Sequence, residues 1–325
     1  MKDFYLLAAG AGLLTGLAIP ASALSQLSSI QPENYGVLWD SPQDSQPTVG
    51  EKIVPSVNIS SPEFSDHSLQ VPVKSSLNSN SLPVNQQLIS GSQLYYQRLA
   101  ALKAGQISTT HLANDNLQSL WALARKRQIT YEEWKSLLAM EAKAMSQGQG
   151  VNHLGILVGD SLSMWFPKEK LPTSKLWLNQ GISGDTSEGI LKRLSAFSET
   201  RPDVIYVMAG INDLRKGATD ETVLHNHRLI VRRLRHTHPK TQIIIQSILP
   251  TRLPTIPNSR IRHINYQLAL ITKQEGANYL NLYSWFTDFQ GNLREDLTTD
   301  GLHLSQPGYE VWRLALQQTE LVNSQ

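Results

Sequence analysis

Apolar residues follow two rhythms along the chain. From residue 152 onward, short apolar runs that end in glycine or a small polar residue alternate with stretches whose apolar positions recur every three or four residues. The runs at 154–158, 175–179, 204–208, 242–248 and 277–282 read as strands, and the stretches at 187–198, 220–236 and 259–275 as helices. A last helix follows Pro307, whose fixed φ and missing N–H suit a first helical turn. Strand and helix in alternation predict a parallel sheet covered on both faces. In such sheets ligands bind at the carboxyl ends of the strands, so chemistry is sought there.

The pattern before residue 152 is different. Ser92 reads as an N-cap followed by Leu94, Tyr95, Leu99 and Leu102 at helical spacing, with Gly105 as a stop. A second helix takes in Leu117, Leu120, Trp121 and Ala124. In the third, Thr130 and Glu133 form a capping-box pattern, Trp134, Leu137, Leu138 and Met145 share one face, and Gly148 ends it. Residues 91–150 are thus a small helical preamble, its aromatic residues read as packing, that docks on a domain spanning 151–325. Residues 24–90 are rich in Ser, Pro, Asn and Gln, hold six acidic and two basic side chains, and show no sustained period. Such a segment buries too little apolar surface to offset its ordering entropy, and it reads as a flexible, disordered linker. At the start, the uncharged apolar run 4–19 is shorter than the ~20 residues that span a bilayer, and Ala21-Ser22-Ala23 is a small-x-small cleavage site. Residues 1–23 therefore read as a signal peptide cut after Ala23, which makes the protein exported; the alternative, with Asp3 offsetting Lys2, is an uncleaved membrane anchor.

Composition narrows the function classes. With 325 residues, 40% hydrophobic and 17% charged, the chain has the make-up of a soluble protein, and its net charge of +2 does not suit nucleic acid as a partner. The cluster Arg228, Arg232, Arg233 and Arg235 reads as the solvated side of a helix. Cysteine is absent, which excludes disulfides, thiolate metal sites and a cysteine nucleophile. The pairs His225/His227 and His236/His238 are no metal site, because residues two apart on a helix point in different directions. Nothing in the composition bears on oligomeric state.

Four strand ends carry residues with chemistry. The first run stops in Gly159-Asp160-Ser161, which raises a serine at the end of a rigid element; alone, this reads better as a strand cap. After the second comes Gly181-Ile182-Ser183-Gly184-Asp185-Thr186, where Gly184 can offer a bare N–H and Asp185 or Thr186 can cap the next helix. Gly210-Ile211-Asn212-Asp213 follows the third, and an asparagine amide donates without changing charge. Beyond the fifth lies Asp300-Gly301-Leu302-His303, an acid and an imidazole that one turn can present together. Combined, these supply a nucleophile (Ser161), a base (His303), an orienting acid (Asp300) and oxyanion donors from the Ser161 N–H, the Gly184 N–H and the Asn212 amide. No metal or cofactor is called for. Asp160, Asp185 and Asp213 read as loop and cap supports, while Trp165, Phe166, Trp285 and Phe286 wall a pocket or pack the core.

The four blocks together resemble those of the SGNH, or GDSL, serine esterases and lipases, whose defining Ser, Gly, Asn and His are matched in order by Ser161, Gly184, Asn212 and His303. The resemblance covers about residue 152 to the C-terminus. It implies a flavodoxin-like three-layer α/β/α fold around a five-stranded parallel sheet, and hydrolysis of carboxylic esters through an acyl-enzyme on Ser161. Short-chain O-acyl groups, such as acetyl on an extracellular or cell-wall polysaccharide, fit the export signal. A lysophospholipid or thioester, or acyl transfer to a sugar hydroxyl, would use the same site; a carbohydrate-binding protein with a vestigial site is the rival of a different class.

Overall fold

Each strand sends alternate side chains to opposite faces, and the two faces bury different sets of helices. In the computed structural model, which describes residues 90–107, 124 and 127–323, the strands are β1 (Leu154–Gly159), β2 (Leu176–Gly181), β3 (Val204–Met208), β4 (Gln242–Gln246) and β5 (Asn278–Leu280). The helices are α1 (Gly91–Lys103), α2 (Tyr131–Gly148), α3 (Ser161–Met164), α4 (Ser187–Arg193), α5 (Ile211–Arg215), α6 (Asp220–Thr237), α7 (Asn258–Gln274), α8 (Tyr283–Phe286) and α9 (Gln306–Asn323). All strand pairs are parallel, in the order β2-β1-β3-β4-β5. This is the flavodoxin-like order, and its switch point lies between β1 and β3.

Ile156, Val158, Ile205, Val207, Ile243 and Ile245 face the layer that holds α1, α2, α4 and α6. Leu157, Tyr206, Met208 and Ile244 face the other, filled by Phe286 of α8 and Trp312 and Leu316 of α9. α7 lies beside α6 and β5. Its Ile261, Ile264 and Leu268 join Val223 and Ile248 in a third apolar cluster. The five-stranded three-layer expectation holds, and the described residues belong to one compact unit.

Element ends depart from the apolar pattern where side chains stand in for backbone partners. β2 continues through polar Asn179 and Gln180 because their amides have acceptors, the carbonyls of Ser163 at 2.6 Å and Leu138 at 3.1 Å. β4 stops early because the Asn265 amide accepts from Ile248 N–H and donates to its carbonyl, both at 2.8 Å. Residues 187–198 form α4 and then a 3-10 turn, Leu194–Phe197, rather than one helix. Ser92 is not the first cap. Ser90 closes a capping box with Gln93, and Ser92 instead donates to the Arg127 carbonyl at 3.1 Å. The Thr130/Glu133 capping box opens α2 as expected. Nor are the arginines of α6 merely a solvated face: Arg228 and Arg232 both grip Glu275, at 2.7 and 2.8 Å, and so fasten α6 to the end of α7. The expected signal peptide, the expected linker up to residue 89 and residues 117–121 of the expected second helix lie outside the described residues.

Preamble and sheet share one core, since Tyr95, Leu102, Trp134 and Leu137 pack in the cluster that contains Ile156. A buried ion pair adds register. Arg98 of α1 meets Glu141 of α2 through Nε at 2.9 Å and through Nη2, which also donates to the Asn179 carbonyl of β2 at 2.9 Å. Removing one member of such a pair strands a buried charge, whereas replacing both does not. Glu141→Leu is expected to lower the unfolding free energy by about 3–5 kcal/mol in urea denaturation, and adding Arg98→Met to recover most of that loss.

Candidate active site

The site sits at the switch point, where β1, β2 and β3 end. β1 stops at Gly159 because a Cβ there would stand 2.2 Å from Ser163 Oγ and 2.7 Å from the Met208 carbonyl oxygen. With that side chain missing, α3 turns tightly off the strand. Asp160 caps α3 by accepting the Leu162 N–H at 3.0 Å. Ser161 is the first helical residue, so its own N–H has no intrahelical acceptor. Its side chain is largely shielded, the residue being 6% exposed.

After β2 the chain turns through Gly184 at φ +78°, a left-handed conformation that glycine accommodates best. Among the described residues nothing accepts the Gly184 N–H, while its carbonyl accepts from Lys216 Nζ at 3.0 Å. Thr186, not Asp185, caps α4. After β3, Asn212 enters α5 with its amide turned inward. Its Nδ2 donates to Asp160 Oδ2 at 3.2 Å and to the Asp185 carbonyl at 3.1 Å. Both hydrogens of the expected oxyanion donor are thus engaged, the bond to Asp160 being the longer.

Asp300 and His303 lie on one turn held by Thr298, whose Oγ1 donates to the His303 carbonyl at 2.7 Å and accepts the Gly301 N–H at 2.9 Å. His303 Nδ1–H donates to Asp300 Oδ2 at 2.7 Å, and Asp300 Oδ1 accepts the His303 and Leu302 amides at 2.7 and 3.0 Å. Burial alone would raise the Asp300 carboxyl, but these bonds and the His303 charge outweigh it and hold the carboxyl below its ordinary value. Among the described residues His303 Nε2 takes no hydrogen bond, and none joins it to Ser161 Oγ. Bonds of this kind often close only around substrate.

A model of the GDSL-like lipase/acylhydrolase family matches residues 146–311. The chain belongs to this family. Among solved structures, a protein from Streptococcus pneumonia described as a platelet activating factor is 25% identical with a TM-score of 0.54, over 64% of this chain and 99% of that one. A GDSL-like lipase from Bacteroides thetaiotaomicron is 19% identical with a TM-score of 0.50, over 57% and 96% of the two chains, a likeness of fold. No curated protein matches the sequence.

Asp160, Asp185 and Asp213 are the loop and cap supports expected, but their burial does not show in the sequence. All three are buried, at 1%, 3% and 3% exposure. Asp185 pairs with Arg193 Nε at 2.7 Å, and Asp213 accepts from the Ser187 hydroxyl and amide at 2.5 and 2.8 Å. Among the described residues no cation pairs with Asp160. Burial pushes its carboxyl up to about 7; the Leu162 N–H and His303 pull it down, and the charges of Asp185 and Asp213 push it further up. A charged residue closing an apolar strand was the available signal. His227, of the His225/His227 pair discounted as a metal site, is buried with a ring nitrogen 3.2 Å from the Ala209 carbonyl, and burial lowers its affinity for a proton. Phe166 and Phe286 are core residues, and Trp165 and Trp285 pack partly buried against the same clusters.

The raised Asp160 carboxyl has a signed consequence. Its folded value of about 7 lies above the ordinary 3.8, so the native state holds this proton more tightly than the unfolded chain. The stability it contributes is complete below the unfolded value and is lost as pH rises through the folded one. Comparison with Asp160→Asn removes the common background of other titrating groups. Between about pH 5 and about pH 8 the melting temperature of Asp160→Asn is expected to rise relative to that of the native protein. Parallel curves would show that Asp160 does not titrate in this range.

Proposed function

We propose that the protein is an exported serine esterase that cleaves short-chain O-acyl esters, with acylated envelope or extracellular glycans as the substrate class. The observation that carries the reading is the Asp300–His303 pair. With Nδ1–H held by the carboxylate, Nε2 of the neutral ring is the nitrogen left to act as base toward Ser161. In the first step the Ser161 oxygen bonds to the acyl carbon while its proton passes to Nε2. The tetrahedral oxyanion collapses, the alcohol leaves with the proton from His303, and a water molecule repeats the sequence on the acyl-enzyme. The Ser161 and Gly184 N–H groups receive the developing charge. Asn212 joins them by redirecting the hydrogen that faces Asp160, whose acceptor is weak when the carboxyl is protonated.

The acyl preference rests on a cleft lined by Asp160 and Leu162, the chain neighbours of Ser161, and by Met208, Ile211, Ile248 and Leu302 among others, with a cavity volume of about 10 Å³. That is about the room of one water molecule, far below the usual ~300–1,000 Å³ range of small-molecule pockets, and it favours an acetyl or similar group over a fatty acyl chain. Export rests on the apolar run 4–19 and the small-x-small site that follows it.

Two measurements test the proposal. On a p-nitrophenyl ester series the acetate is expected to exceed the octanoate in kcat/KM, and Ser161→Ala to abolish turnover of all members while leaving the circular dichroism spectrum unchanged. Turnover surviving in Ser161→Ala would refute the serine mechanism. Asn212→Ala is expected to lower kcat by about 100 to 1000-fold.

A further inference from the structure

We infer that the helical preamble reaches into the catalytic apparatus through Tyr131, a positioning residue that holds the Gly184–Asp185 turn and, through it, Asn212. The inference rests on the proposed oxyanion roles of Gly184 and Asn212.

Asp185 is the hub. Its carboxylate accepts from the Tyr131 hydroxyl at 3.1 Å and the Thr186 N–H at 3.0 Å through Oδ1, and from Arg193 Nε at 2.7 Å through Oδ2. Its backbone carbonyl accepts from Asn212 Nδ2 at 3.1 Å, and Gly184 is its chain neighbour. Arg193 Nη2 donates in turn to the Gly159 carbonyl at 3.1 Å, two residues before the nucleophile. One buried side chain therefore ties together the ends of β1, β2 and β3. Tyr131 is the one member of this set that comes from outside residues 146–311, the span matched by the family model.

Two further observations show that the contact is built in. Gly189 of α4 lies against it: a Cβ there would stand 2.0 Å from Asp185 Oδ1 and 2.9 Å from the Tyr131 hydroxyl, so a side chain at this position would displace the pair. On its own helix Tyr131 is the first residue after the Thr130 cap, where the capping box fixes its direction. α2 is held in turn by the Arg98–Glu141 pair and by Gln180 Nε2, which donates to the Leu138 carbonyl at 3.1 Å. Burial and the Asp185 charge push the Tyr131 phenol up to about 12, so it remains a donor at neutral pH.

Without the hydroxyl, Asp185 Oδ1 keeps a single donor in a buried setting, and its carboxylate is free to turn. The main-chain carbonyl that aims Asn212 moves with it. Ground-state binding is untouched because Tyr131 makes no contact with the cleft residues. Tyr131→Phe is therefore expected to lower kcat about tenfold, the equivalent of one hydrogen bond, with KM within about twofold. The rate of Ser161 labelling by a fluorophosphonate should fall in parallel, since phosphonylation uses the same oxyanion donors. Lys135→Met serves as the control, because Lys135 Nζ lies 5.5 Å from the Tyr131 ring centre and does not reach Asp185. It should leave kcat unchanged. Unchanged kcat and labelling in Tyr131→Phe, or an equal loss in Lys135→Met, would overturn the inference while leaving the esterase reading intact. Turnover surviving in Ser161→Ala would overturn both.

Discussion

Three carboxylates buried together, Asp160, Asp185 and Asp213, set the conformation of the loops that follow β1, β2 and β3. An isolated buried carboxylate costs several kcal/mol, so each must be neutralised, and each is neutralised differently. Asp185 has an arginine, Asp213 has two donors from Ser187, and Asp160 has the Leu162 N–H and the Asn212 amide, with burial raising its affinity for a proton. The chain has little freedom once these demands are met. Arg193 must reach across to the Gly159 carbonyl, Ser187 must begin α4 facing Asp213, and Asn212 must lie between Asp160 and the Asp185 carbonyl. The orientation of the groups read as oxyanion donors is thus a by-product of charge burial.

The base side of the site obeys a different constraint. The Asp300 and His303 side chains are 53% and 39% exposed, so water screens the Coulomb attraction between them. What Asp300 supplies is direction. It accepts two amides of its own turn as well as the imidazole, and Arg252 N–H anchors the Gly301 carbonyl at 2.8 Å. A local turn with one distant backbone anchor can thus hold an imidazole without a buried charge.

That contrast explains how much was legible in the sequence. Strand interiors were readable because period-two burial shows in the residues themselves: Ile205 and Val207 face one layer, Val204 and Tyr206 the other. The Asp300–His303 turn was readable because the groups that orient the imidazole, Asp300 and Thr298, lie within a few residues of it. Ends and partnerships were not. Whether Gln180 belongs to a strand depends on the Leu138 carbonyl, and whether β4 continues depends on Asn265, both distant in sequence. Asp160, Asp185 and Asp213 looked like ordinary cap residues because their burial, and hence their energetic weight, appears only when three strand ends meet. The arginines of α6 looked solvent-facing for the same reason: Glu275, which two of them bind, lies past the end of another helix.

The two halves also divide the substrate between them on the proposed reading. The acyl side is walled by strand ends and short helices whose apolar residues, Met208, Ile211 and Ile248 among them, belong to the packed interior. Enlarging the cleft there would mean opening the core, at about 24 cal/mol per Å³ of cavity, so acyl length is limited by fold stability. On that reading the leaving group departs on the side of His303, whose side chain is 39% exposed, whereas the residues that line the cleft are buried. The proposed acyl side is therefore the more tightly constrained of the two.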